Sequence, residues 1–325
     1  MDCALAAVLV FASLTARADD DVATLRAEAA KVLAPLPARM PGAENDTSAR
    51  VKLGRELFFD KRLSVNGNIS CDSCHSLDNG GAYPRPPVHV PVKHSPRNSP
   101  TVLNAGFQFA QFWDGRSSNL EAQAKEPMLN PDEMGLPAEA DLLKRLRGLK
   151  TYQTRFPEAF SDGTEPITIK NMSEAIAAFE RTMITHDRFD EFLRGDDRAL
   201  SRAEKTGLKI FLQTGCETCH NGPGLGGNSF QKIGVLHPYA DTNDFGRARI
   251  TNQESDRYQF KVSSLRNVAL TAPYFHDGQI ATLNDAVRQM AYLQLDIQLS
   301  PADTEFIAEF LRSLSDKGLA VRVPH

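Results

Sequence analysis

Two stretches of the chain repeat one spacing, Cys71-Asp72-Ser73-Cys74-His75 and Cys216-Glu217-Thr218-Cys219-His220. No other feature constrains the fold as strongly, because the two motifs use four of the five cysteines; the fifth, Cys3, falls in an apolar N-terminal stretch. Two thiols with two residues between them add across the vinyl groups of one porphyrin. The next residue then brings an imidazole under the iron, so C-x-x-C-H reads as a c-type haem attachment site. Disulfides are the usual fate of cysteines in an exported protein, but this spacing argues otherwise. A four-cysteine zinc site usually sets its pairs about 15–20 residues apart. Here they stand about 145 apart, and the histidine after each pair would have no explanation. Two covalently bound haem c groups are expected.

The N-terminus supports the compartment such chemistry needs. Ala4 to Leu14 forms an apolar core of signal-peptide length, and Ala16-Arg17-Ala18 fits the small-x-small cleavage pattern. Export to the periplasm is expected, with a signal peptide over 1–18 and a mature chain from Asp19. The leader is atypical in carrying Asp2 and no Lys or Arg before its apolar core. The competing reading is a short buried apolar helix. No run reaches the roughly 18 apolar residues of a membrane-spanning helix. The net charge of -4 and pI near 6.1 argue against non-specific nucleic-acid binding. They leave basic protein partners open, since opposite charge speeds encounter.

At 325 residues the chain has room for about two domains. A weak amphipathic stripe runs over 22–33 and ends at Pro35, Pro37 and Pro41. Helical character over 50–59 leads into the first motif. Residues 76–100 hold Gly80, Gly81 and six prolines and are expected to be irregular. Helical patterning returns at 138–149 and along Met172, Ile176, Phe179 and Met183. A second unit begins near Asp187. Residues 201–214 read as a helix running into Cys216, and 221–262 read as mostly loop. Thr282 N-caps a helix with Asp285 at its third position, and Ser300-Pro301 opens another. No strand pattern of weight emerges. The expected fold is mostly α: a haem domain over 19–186 and another over 187–325, with long loops and little internal similarity beyond the motifs.

Four longer blocks carry a resemblance: LGRELFFDKRLSVNGNISCDSCHSL (53–77), PRNSPTVLNAGFQFAQFWDGR (96–116), FKVSSLRNVALTAPYFHDG (260–278) and LSPADTEFIAEFLRSL (299–314). In these the chain resembles the bacterial di-haem cytochrome c peroxidases, a family that includes the methylamine-dehydrogenase maturation enzymes. The resemblance covers roughly residues 50–315. It implies two cytochrome c-like domains, a homodimer and a calcium ion between the haems. The haem of His75 becomes the peroxide-reducing one, and that of His220 the electron-entry and storage centre.

The same resemblance assigns roles to single residues, each with a plainer alternative. Glu133, in LNPDEMG, matches the catalytic glutamate, and Gln123 matches a glutamine of the same pocket; loop acids are otherwise usually just solvated. Many members carry a second histidine on the resting peroxidatic iron. His89 is favoured for that place over His94, although neither aligns without a shift and both read equally as surface residues. Trp113, the sole tryptophan, falls where the family sets an indole between the haems; core packing is its ordinary role. Met290 lies fourteen residues after His276, as the sixth iron ligand does in the peroxidases. The maturation enzymes use a tyrosine there, and Tyr292 is two residues off. His276 reads as a conformational or hydrogen-bonding residue. Asn98, Thr271 and Pro273 match the calcium ligands, oxygen donors of the kind Ca2+ prefers, though Asn and Pro are also common turn residues.

The leading expectation is an enzyme reducing hydrogen peroxide with electrons from a cytochrome c or a blue copper protein. The alternatives are a maturation-type enzyme that oxidises a protein side chain, and a non-catalytic di-haem electron carrier.

Overall fold

The computed structural model describes residues 21–82, 97–161, 163–316 and 318. The leader, Cys3, His89 and His94 lie outside the described residues. Twelve helical segments dominate: α1 (21–30), α2 (Ser48–Phe59), α3 (Leu120–Ala124), α4 (Glu126–Leu129), α5 (Glu139–Gly148), α6 (Lys150–Ala159), α7 (Ile169–Glu180), α8 (Arg188–Leu193), α9 (Arg202–Gln213), α10 (Ala248–Thr251), α11 (Leu283–Leu295) and α12 (Pro301–Ser313). The fold is mostly α. The segment expected as loop after the second motif contains two short strands, β1 (Phe230–Lys232) and β2 (Gln259–Lys261). They pair antiparallel, with Gln231 opposite Phe260. Three-residue strands give too little alternation to stand out from a loop. Among the described residues no helix is long and apolar enough to cross a membrane.

The helices begin where their sequence allows. Thr47, Thr168, Ser201, Thr282 and Ser300 each accept a hydrogen bond from a first-turn backbone N–H, satisfying a donor the helix cannot. Ser201 and Glu204 complete a capping box. Most of the longer helices then bury one face, whereas α7 is buried nearly all round and α10 has no buried residue. α2 turns Leu53, Leu57 and Phe58 inward, and full burial of such a side chain contributes about 1.5–3 kcal/mol.

Two large apolar clusters result. One joins α2, α5, α6 and α7 through residues such as Leu57, Leu146, Phe156 and Ile176. The other joins α8, α9, α11 and α12 through Phe189, Leu208, Leu283 and Phe310. Helix α1 precedes the first motif in sequence, yet its Ala29 and the following Leu33 are buried in the second cluster. Gly222 N donates to Val32 O at 2.8 Å, so the exit of α1 lies beside the second motif. Arg266 fastens the same corner. It is fully buried, pairs with Asp187 at 2.6 Å and Asp190 at 2.7 Å, and donates to Ala34 O at 3.0 Å.

The two clusters share a construction the sequence hides. α2 crosses α7 at Gly54, where a Cβ would stand 1.8 Å from Ala175 O and 3.0 Å from Phe179 Cβ. α9 crosses α12 at Gly207, where a Cβ would stand 1.8 Å from Phe306 O and 3.0 Å from Phe310 Cβ. In both units a glycine lets the helix before the haem motif touch the backbone of a later helix, with a phenylalanine beside the crossing.

Candidate active site

Each C-x-x-C-H motif is a single tight turn. At the first, Cys74 N and His75 N donate to Cys71 O at 3.1 and 2.9 Å, and Ser70 N donates to Ser73 Oγ at 3.0 Å. At the second, His220 N donates to Cys216 O at 3.0 Å. These turns set both thiols and the imidazole of a motif within a few residues' reach. None of the four cysteines is in a disulfide. Burial pushes the Cys74 thiol up to about 11, with the Glu133 carboxylate adding to the rise. Burial raises Cys71, Cys216 and Cys219 as well.

The histidines suit iron. Burial lowers the pKa of both His75 and His220, leaving neutral imidazoles. His220 Nδ1 lies 3.2 Å from Leu225 O, an arrangement in which Nδ1 carries the proton and Nε2 is free for a metal. His75 Nδ1 makes no hydrogen bond of normal geometry, but the backbone at Gly81 and Pro100 favours its protonated ring against burial, so Nδ1 points to carbonyls as in the second motif. The residues therefore fit a covalently held haem at each motif.

Around the second motif the fold draws together residues far apart in sequence. Cys216, Cys219, His220, Met290 and Trp113 line one cavity, with Asn98, Thr271 and Pro273 on the same wall. Met290 faces it from α11, whereas Tyr292 on the same helix is 41% exposed and stacks on His237 at 4.0 Å. Two residues on a helix differ by about 200° in direction, so both cannot face one cavity. Trp113 Nε1 donates to Asn98 O at 2.8 Å, and the indole meets His276 edge-to-face at 6.4 Å. The Asn98 side-chain amide donates to Pro273 O at 2.6 Å. Phe112 and Phe275, the residues before Trp113 and His276, both hold left-handed backbone (φ 66 and 69). That conformation strains a bulky side chain by about 1–3 kcal/mol and clusters at functional sites.

Glu133 stands near the first motif, as its effect on the Cys74 thiol requires. It closes the turn after α4: its backbone N donates to Asn130 O at 3.0 Å, and Asn130 Nδ2 donates back to its Oε1 at 2.9 Å. Burial raises its pKa, while the positive charge of Arg116 and the Asn130 bond oppose the rise. Gln123 is half-buried on α3, the helix that packs on α7. It is not among the residues lining the second cavity. Sequence reasoning gave no role to Lys261, a buried lysine between Phe260 and Val262, although a lysine inside an apolar run is a visible signal.

A family model for di-haem cytochrome c peroxidase matches residues 48–198. The cytochrome c551 peroxidase of Pseudomonas aeruginosa is 42% identical over 98% of this chain and 92% of its own length. The chain belongs to the di-haem cytochrome c peroxidase family. It is an enzyme, a peroxidase of that family, and the family implies two haem c groups. The methylamine utilization protein MauG of Methylorubrum extorquens is more distant, 32% identical over 95% of this chain and 90% of its own length. A solved MauG-like protein associated with microbial copper homeostasis shares the fold at a TM-score of 0.77. It is 28% identical, over 87% of this chain and 94% of that one.

Proposed function

We propose that the chain is an exported, periplasmic enzyme that reduces hydrogen peroxide to two waters, consuming two protons and two electrons. A cytochrome c or a blue copper protein delivers the electrons one at a time. The observation that carries this reading is the unlikeness of the two sites. The first has a half-buried carboxylate, Glu133, beside its motif; the second places Met290 in the cavity of His220. When bound, the haems would supply one-electron chemistry and, at the first site, the iron at which peroxide is reduced.

The chain's own residues do the rest. Glu133 takes a proton from the near oxygen of peroxide and returns it to the far one, which departs as water. Its raised pKa brings the carboxylate nearer neutrality, where a group both accepts and releases protons effectively. Gln123 serves as a polar partner in that pocket. Trp113, fixed through Nε1, bridges the two sites. Met290, in the cavity of His220, would hold the second iron and would raise its potential relative to histidine. In this reading His89 is the resting ligand of the first iron, Asn98, Thr271 and Pro273 hold Ca2+ between the haems, and the mature chain forms a homodimer of 19–186 and 187–325 units. The exposed stack of Tyr292 on His237 weighs against the maturation-type reading, and the half-buried Glu133 weighs against a plain carrier.

Steady-state oxidation of reduced cytochrome c by hydrogen peroxide tests the proposal, with and without prior ascorbate and calcium. Turnover is the expected result, and a need for ascorbate would point to a histidine leaving the first iron. No turnover in any condition, with both haems loaded, overturns it.

A further inference from the structure

Lys261 lies at the end of β2 and lines the cavity of the second motif. Its side chain is buried, and Nζ donates to Ala110 O at 2.8 Å. Its backbone N donates to Trp113 O at 2.7 Å, so lysine and indole are joined at the backbone. Both residues line the cavity that also holds His220 and Met290. An ammonium has three donors, and one hydrogen bond to a neutral carbonyl satisfies one of them. The carboxylate that acts on it, Asp114, is already held by Arg97 at 2.6 Å and Arg116 at 3.3 Å. Among the described residues no carboxylate contacts Lys261, so its charged form is buried against a single carbonyl, an arrangement that is costly unless the charge has a use. Burial brings its pKa down to about 7, with Asp114 opposing.

We propose that the Lys261 ammonium controls the electron path between the two haem sites, favouring the reduced second haem and disfavouring loss of an electron from the Trp113 indole. The reasoning is electrostatic. Reduction removes one positive charge from the iron, and a nearby cation in a poorly screened cavity favours that change. Oxidation of the indole would add a second positive charge to the cavity that both residues line, which the same cation disfavours. The stored electron is thereby kept on the second haem, and the indole conducts without becoming a radical. Lys261 acts through the field of its charge and not as a ligand or proton donor, so it is a positioning residue. The proposal rests on the second cavity being the haem site, as read above.

The test is a spectroelectrochemical titration of the second haem at pH 6, below the pKa of the lysine, in the loaded wild type and in Lys261→Met, Lys261→Gln and Lys261→Arg. Gln keeps a donor for the Ala110 oxygen and guards against a Met variant that fails to fold. At the wild-type midpoint, both neutral variants should show a ferrous-to-ferric ratio about tenfold lower. That corresponds to a midpoint about 59 mV lower for a one-electron couple. Arg should hold the wild-type midpoint, and all optical spectra should be unchanged. An unmoved midpoint in a neutral variant that carries both haems overturns the proposal. So does a lowered midpoint with an altered haem spectrum, since a repacked cavity would produce that. Haem counting separates the two levels of failure. One haem per wild-type chain defeats the site reading itself, whereas two haems and an unmoved midpoint defeat only the role of the lysine.

Discussion

Glu133 owes its proposed chemistry more to burial than to any one neighbour. Burial is the largest influence on its carboxyl and raises it, while Arg116 and Asn130 keep the ionised form accessible. Glu133→Gln should lower peroxide turnover by about 10²–10⁴, the usual worth of an acid-base group, with both haem spectra intact. In the wild type the acid limb of kcat/KM should lie above the ordinary carboxylate range, and a limb near 4 would contradict the burial argument. A second carboxyl, Glu180, is buried and pushed up to about 8 by burial alone. Between about 4.5 and about 8 the native state keeps this proton and the unfolded state does not. Stability therefore falls as pH rises through that window. Glu180→Gln should flatten the fall, read as a Tm difference between pH 5 and pH 8 smaller than in the wild type.

Among the elements, the two helix crossings matter most. A methyl group at Gly207 would collide with Phe306 O, a backbone atom that moves only if α9 and α12 separate. Gly207→Ala should destabilise the fold by about 3 kcal/mol, the upper part of the overpacking range, measured by urea unfolding. The paired crossings escaped sequence reading because the glycine stands 17 residues before Cys71 in one unit and nine before Cys216 in the other. Unequal connections hide a repeat that packing makes plain. On α11 the direction of side chains separates Met290 from Tyr292. Met290→Leu should lower the potential of the second haem in a redox titration, while Tyr292→Phe, out on the surface, should leave it unchanged.

At the scale of the whole molecule, the second cavity gathers residues from both ends of the chain. Arg97 reaches Asp244 at 2.6 Å and Asp114 at 2.6 Å, tying the segment after the first motif to the loop after the second. Asn98 N donates to His276 O at 2.6 Å beside that pair. A calcium ion held by Asn98, Thr271 and Pro273 would brace this junction. Chelation should therefore slow cytochrome c oxidation reversibly, and Asn98→Ala should make the enzyme slow whether or not calcium is added. Equal turnover before and after chelation would reject the ion's role.

Both haem motifs, the helix starts at Thr282 and Ser300, and the helical stripe of α7 were legible from residue order. Each depends on a spacing of a few residues, which the chain fixes locally. The Glu133 turn, the docking of α1 into the second cluster, the glycine crossings and the buried Lys261 with its carbonyl partner were not. Each depends on groups tens to hundreds of residues apart, whose burial and charge environment exist only once the chain has closed around them. The sequence by itself determined which covalent chemistry the chain can support. Tertiary structure decided which carboxyls lose water, which face of α11 meets the cavity and which buried lysine has a carbonyl and not a carboxylate as its partner, because desolvation and Coulomb forces depend on distance in space.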